Sequence, residues 1–385
     1  MQSPISITAI ASISALGTSE DEVWQSYYTG RPLFIRKPFK TREVWISEVS
    51  SEAQESLLNL RRSSSNYKNL DRTVLLAILA SKRALTKTKN LGKNVGVNIG
   101  SSRGATELFE KYHKQFLEGK GISAYTSPTT TLGNISSWVG QELGLEGVQI
   151  GHSVTCSTAL HSLLNGMAWL NSNMADAFVV GGSEAALTPF TIAQMKALKL
   201  YSKSENTMAC ESMRFEKKRN TMVLGEAAAI AIIEKPLLNS SSAVIKGYGF
   251  ATENLFHNSS ISENAICFQK SMKMALKNAK LDMVDVIVMH APGTVKGDLA
   301  EKNAIDLVFG KTLPLLTSNK WLVGHTFGAS GMLSLEMAVL MLKHNHFIEN
   351  PFFNNERHLP KEIKTIMINA VGFGGNAVSI IISNP

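Results

Sequence analysis

The feature that most constrains this chain is an alternation, run through twice, of short β-branched apolar segments with segments of helical apolar spacing. In the first run residues 5–16, 95–100, 177–180 and 227–233 read as strands, and helical spacing covers 69–80 and 161–171. The double glycine Gly181-Gly182 reads as a turn ending the third of these strands. The second run has a helix at 263–279, a strand at 284–289, a helix at 297–307, a strand and turn at 314–320 and a helix at 329–343. It closes with strands at 364–369 and 377–382. Strands apolar on both faces and separated by helices belong in a mostly parallel sheet covered on both sides. With no linker or short-period repeat between the runs, the expectation is an α/β fold of two duplicated, closely packed βα halves, residues 1–247 and 248–385. A chain of 385 residues, 44% of them apolar, is long enough for two cores.

Three cysteines, an odd and sparse set, argue against a disulfide framework and for a reducing compartment. The first eight residues lack a basic n-region and alternate like a strand, and no uncharged apolar run approaches membrane-spanning length. These features predict a soluble, cytoplasmic protein with no membrane span. The net charge of +8 admits nucleic acid, an anionic membrane or an acidic protein as partner. Basic residues are scattered apart from Arg61-Arg62 and Lys217-Lys218-Arg219, with no aromatic-interleaved basic run or Cys/His finger, which disfavours nucleic acid.

Four stretches concentrate chemistry. Cys156 lies among small polar residues where the strand-like run 147–150 hands over to the helical segment 161–171. Unpaired N–H groups and the helix dipole at such a junction favour thiolate over thiol, as a nucleophile requires. His290 ends a strand before a Gly/Pro turn, and Asp298 with Glu301 three residues on has capping-box spacing for the next helix. Lys320 precedes His325, which is lodged among glycines and small residues at a helix start, and Gly372-Phe373-Gly374-Gly375-Asn376 forms a glycine-rich turn. The turn after residue 100, Gly100-Ser101-Ser102-Arg103-Gly104, lacks a Walker lysine and the GxGxxG spacing and reads as a plain turn.

In this order the four stretches resemble the β-ketoacyl-acyl-carrier-protein synthases, the decarboxylating condensing enzymes of the thiolase superfamily, across nearly the whole chain. That family carries a cysteine at the start of a buried helix, an HGTxTxxGDxxE stretch, a KxxxxGHxxGAAG stretch and a GFGGxN loop. Here these correspond to Cys156, residues 290–301, 320–331 and 372–376. The resemblance implies a thiolase fold with two duplicated βα halves in αβαβα layers and the active site between them. It implies decarboxylative Claisen condensation of an acyl thioester held on Cys156 with malonyl carried by an acyl carrier protein. His290 and His325 would donate to the enolate oxygen, and the N–H groups of Cys156 and Phe373 would form the oxyanion hole, with Phe373 also a mobile gate. Lys320 with Asp298 and Glu301 would form a charged cluster orienting the histidines, and Thr294 would contact the phosphopantetheine arm.

Acyl-pocket depth would depend on side chains such as Met195, Met222 and Trp138. The family's HGT is His290-Ala291-Pro292 here, the last loop lacks the usual hydroxyl residue between Gly375 and Asn376, and Ala227 replaces a usual glycine. These departures suit a specialised fatty-acid or polyketide pathway of the polyene type. No metal or diffusible cofactor is implied. The expected assembly is a homodimer, or a heterodimer with a homologous chain-length-factor-like subunit, and residues 148–153 are the candidate cross-subunit edge. The alternative is that this chain is itself a chain-length-factor-like subunit shaping a partner's pocket, although such subunits usually lack the cysteine.

Overall fold

The computed structural model describes residues 4–385 apart from 41, 89–90, 236–240, 255–260 and 357. Each half follows one pattern of elements. The first has β1 (Ile5–Ile13), α1 (Arg72–Leu85), β2 (Val95–Gly100), α2 (Thr106–Leu117), β3 (Gln149–Ile150), α3 (Thr158–Asn171), β4 (Ala177–Glu184) and β5 (Ala227–Glu234). The second has β6 (Ala243–Ala251), α4 (Ile266–Ala279), β7 (Val286–Val288), α5 (Val295–Phe309), β8 (Leu315–Thr317), α6 (Ser330–His344), β9 (Thr365–Gly372) and β10 (Asn376–Ser383). All ten strands join in one sheet, ordered β8-β7-β9-β10-β6-β1-β5-β4-β2-β3.

The duplication is visible in that order. Outward from the centre the first half runs β1-β5-β4-β2-β3, and the second half runs β6-β10-β9-β7-β8. In both, the two innermost pairings are antiparallel and the two outermost parallel. The halves meet where β1 pairs antiparallel with β6, Ile5 opposite Ile245. Further helices and a small three-stranded sheet built on residues 35–47 are insertions in the first half.

Strand alternation sorts the core into layers. Ala229, Ala231 and Ile233 of β5 and Ile366 and Ile368 of β9 face one central cluster that encloses α3 and α6. Ile230 and Ile232 face the outer layer of the first half, with α1, while Met367 and Ile381 face the outer layer of the second, with α4. Helices thus lie outside, between and outside again, in the αβαβα arrangement.

The sheet is mixed, four pairings parallel and five antiparallel, where a mostly parallel one is expected. Two local expectations also differ. Gly181 and Gly182 do not end β4 but lie within it, because a Cβ on Gly182 would stand 2.2 Å from the Gly328 carbonyl oxygen. Helix α5 is capped by Thr294, whose hydroxyl accepts from the Gly297 N–H at 3.2 Å, so Asp298 lies inside the first turn and is not the cap. Among the described residues no helix is long and apolar enough to cross a membrane.

Candidate active site

Cys156 is presented by an elbow. Thr155 has φ of 48°, a left-handed conformation that a β-branched residue adopts only under constraint. The constraint is Thr158, whose hydroxyl accepts from the Val154 N–H at 2.9 Å and donates to the Thr155 carbonyl at 2.6 Å. The turn Thr155–Ser157 then opens directly into α3. The second half repeats the device: Phe327 has φ of 43°, and the turn Phe327–Ala329 opens into α6.

The β9–β10 hairpin brings its glycine-rich tip onto the first elbow. Gly372 packs so closely that a Cβ there would lie 1.9 Å from the Thr155 hydroxyl oxygen and 2.6 Å from the Val154 carbonyl oxygen. No other residue fits that approach. Phe373 follows, its carbonyl accepting from the Thr155 hydroxyl at 3.4 Å.

The histidines come from the other half. Glu301 of α5 accepts from the N–H groups of His290 and Ala291 at 3.0 and 2.9 Å, and Asn369 of β9 donates to it at 3.2 Å. Ala291, at φ 26°, shares the strained geometry of the two elbows. His325 is held through its main chain, its N–H donating to Val223 at 2.7 Å and its carbonyl accepting from Gly225 at 3.1 Å. Among the described residues its Nδ1 is buried without a partner. The two rings lie edge to face with centroids 5.1 Å apart. Burial, then His325 and Lys320, lowers His290 well below its ordinary range, and burial, then Lys320, lowers His325 to about 3, so both rings are neutral.

The charged groups are arranged differently from the single cluster expected. Asp298 pairs with Lys217, not Lys320, at 2.7 Å, with side chains 0% and 1% exposed. It also accepts from the N–H groups of Gly293, Thr294 and Met213, each at 3.0 Å, which fixes the turn after His290. Lys320 instead donates to Asn319 Oδ1 at 2.8 Å and Ser334 Oγ at 3.2 Å, with no carboxylate in ion-pair range among the described residues. Burial lowers it to about 8, against the pull of Glu301. Glu301 grips main chain and Asn369 and touches neither imidazole; burial raises its carboxyl to about 7.

The expected resting thiolate is also corrected. Burial pushes the Cys156 thiol up to about 12, and Glu184 adds to this, while Arg103 and Lys320 act against it. Desolvation outweighs the helix start, so burial favours the thiol over the thiolate.

Cys156, His290, His325, Thr294, Phe327 and Phe373 line one cavity of about 590 Å³. Met195 and Met222 also line it, whereas Trp138 packs in the outer layer of the first half, 6.1 Å from Tyr67. The exposed Lys218, Arg219 and Lys296 line it as well. Among the described residues no three His, Cys, Asp or Glu side chains are grouped to hold a metal.

Glu184 was not singled out in the sequence, yet it ties the site together. It accepts from Ser101 Oγ, Ser102 N, Arg103 N and Gly328 N at 2.7 to 3.1 Å, joining the turn after β2 to the second elbow. Its one sequence signal is a lone carboxylate ending an otherwise uncharged, glycine-containing strand.

Comparison with known proteins agrees along the whole chain. Residues 2–237 match the model of the beta-ketoacyl synthase N-terminal domain, and residues 242–353 match that of the C-terminal domain. The chain is 28% identical to 3-oxoacyl-acyl-carrier-protein synthase 2 of Coxiella burnetii, covering 98% of this chain and 97% of that one. It is 30% identical to 3-oxoacyl-acyl-carrier-protein synthase 1 of Buchnera aphidicola over 68% of each. Its fold matches a ketosynthase solved with its chain length factor from Xenorhabdus doucetiae, with a TM-score of 0.84, 21% identity and coverage of 100% and 98%.

Proposed function

Given that the chain belongs to the beta-ketoacyl synthase family, a family of condensing enzymes, we propose that it extends an acyl group held on Cys156 by decarboxylative condensation with malonyl carried on an acyl carrier protein. The observation that carries this reading is the convergence of Cys156, from one half, with the neutral His290 and His325, from the other, on one cavity.

The residues divide the reaction between them. Cys156 Sγ attacks the incoming thioester; the acyl–sulfur bond to the carrier breaks as the new one forms, and the thiol proton leaves with the carrier sulfur. Malonyl then loses carbon dioxide, and the electron pair of the broken C–C bond becomes an enolate. Neutral imidazole N–H groups of His290 and His325 donate to its oxygen, an interaction that strengthens as charge develops. The enolate carbon attacks the acyl carbonyl, whose oxygen is received by the N–H groups of Cys156 and Phe373. Collapse expels the Cys156 thiolate, which takes a proton from solvent.

Lys320 adds positive charge beside the histidines, which burial already holds neutral. Phe373 gates the cavity, and Thr294 contacts the phosphopantetheine arm that delivers both substrates. The exposed Lys218, Arg219 and Lys296 that line the cavity suit an acidic carrier. No cofactor beyond the carrier's arm is needed. Edge strand β3 presents the open side of the sheet to a second copy or to a homologous chain-length-factor-like subunit.

The test is product formation from acyl and malonyl carrier proteins. The wild type gives the 3-oxoacyl carrier and one carbon dioxide per turnover, and His325→Ala gives neither at a comparable rate. A wild type that turns over no primer, alone or with a homologous subunit, overturns the proposal.

A further inference from the structure

Arg103 is a cation that the proposed chemistry does not employ. It follows β2 in the turn that Glu184 grips, and Glu184 accepts from both the Arg103 N–H at 3.1 Å and the Gly328 N–H at 3.0 Å. That shared carboxylate locks the Arg103 turn against the second elbow. The consequence is a contact between the guanidinium and the face of the Phe327 ring, 5.2 Å from its centroid. Phe327 lines the cavity and packs in the same apolar cluster as Cys156, Ile192 and Met195. The charge is near enough to the Cys156 sulfur to act on its ionisation.

The guanidinium is only partly satisfied. One Nη donates to Gln194 Oε1, while Nε is buried with no partner among the described residues. Among the described residues no carboxylate pairs with it. Gln194 is neutral, and Glu184 spends its oxygens on Ser101, main-chain N–H groups and the second elbow. A planar fork of five donors with free positions, beside an otherwise apolar cluster, is built to receive an oxygen acceptor. Plain alkyl chain placed there leaves those donors unpaired, which is how a polar pocket rejects an apolar analogue.

We propose that Arg103 determines which acyl group is accepted: one whose distal end, past the Phe327 ring, carries an oxygen acceptor for the Arg103 guanidinium. A carboxylate, ketone or phenolic oxygen qualifies, and a simple alkyl end is refused. This rests on the reading of Cys156 as the acyl-bearing residue. It adds a substrate class, oxygen-ended acyl chains, and a residue that selects it.

The experiment measures binding, not turnover, so that it stands apart from that reading. Pantetheine amides cannot acylate a thiol. Hexanoyl, 5-oxohexanoyl and adipoyl pantetheine amides, with butanoyl and succinyl as a shorter pair, are titrated into the full-length protein by calorimetry. The wild type prefers the oxygen-ended ligand of a matched pair by about tenfold or more. Arg103→Met, checked for an unchanged melting temperature, reverses the preference, and Arg103→Lys keeps part of it. Adipoyl above 5-oxohexanoyl identifies charge as the selected property, and equal binding of the two identifies the oxygen alone. Equal or tighter binding of the alkyl ligands by the wild type, an unchanged preference in Arg103→Met, or no binding of any amide overturns the proposal. If the amides discriminate while no acyl group forms on Cys156, the condensation reading fails and the Arg103 selection stands.

Discussion

The rings of His290 and His325 meet edge to face, 5.1 Å between centroids and 87° between planes, although one follows β7 and the other precedes the second elbow. Two neutral donors fixed this way suit one developing negative oxygen. Replacing either by alanine lowers carbon dioxide release from malonyl carrier protein by about a hundredfold or more, the usual cost of a lost oxyanion donor. Acyl transfer to Cys156 persists in both variants, which separates the two half-reactions in a single-turnover assay.

Lys320 sets the alkaline limit. With its ammonium held at about 8, charge is present below that pH and lost above it, so the condensation rate falls as pH rises through this range. The histidines impose no matching loss between pH 6 and 8, since burial keeps them neutral there. Asn319 Oδ1 receives the Lys320 ammonium and Asn319 Nδ2 donates to the buried Tyr27 hydroxyl at 3.3 Å. Asn319→Asp supplies the missing carboxylate and moves the alkaline limb upward, and Lys320→Met removes the limb along with most activity. A limb that stays in place in Lys320→Met assigns it to another group.

The Lys217–Asp298 pair is a structural requirement of the site. Removing either partner leaves a buried charge unpaired, so Lys217→Met or Asp298→Asn costs about 3–5 kcal/mol in denaturant unfolding. Asp298→Asn also loosens the turn behind His290, and its activity falls further than its stability alone explains.

Much of this was legible from residue order, and the limits have a physical basis. The alternation of apolar strands and helices shows in the sequence because each strand is buried on both faces, and the glycine-rich turns stand out because close backbone approach permits little else. Ion-pair partners do not show. Lys217 and Asp298 are 81 residues apart, and nothing local distinguishes Lys217 from the exposed Lys218 beside it. The protonation of Cys156 was misread for a related reason: a helix start is visible in the sequence, while the burial that outweighs it belongs to the tertiary structure.

Glu336 offers a stability test outside the chemistry. It is buried on α6 with Oε2 unpartnered, and burial raises its carboxyl to about 7. The folded state holds this proton up to about pH 7 and the unfolded state only to about 4.5, so the cost of ionising it accumulates between those values and is constant above. Glu336→Gln therefore stabilises the protein by up to about 3 kcal/mol at pH 8 and by little below pH 4.5. A difference in melting temperature that does not vary with pH contradicts the assignment.

The most direct test is intact-mass measurement after incubation with a series of acyl carrier proteins, wild type beside Cys156→Ala, followed by malonyl carrier protein. The prediction is one acyl increment on the wild type only, discharged on malonyl addition into a product two carbons longer. An increment retained by Cys156→Ala, or none on the wild type with any primer in the presence or absence of a homologous subunit, contradicts Cys156 as the acyl-bearing residue.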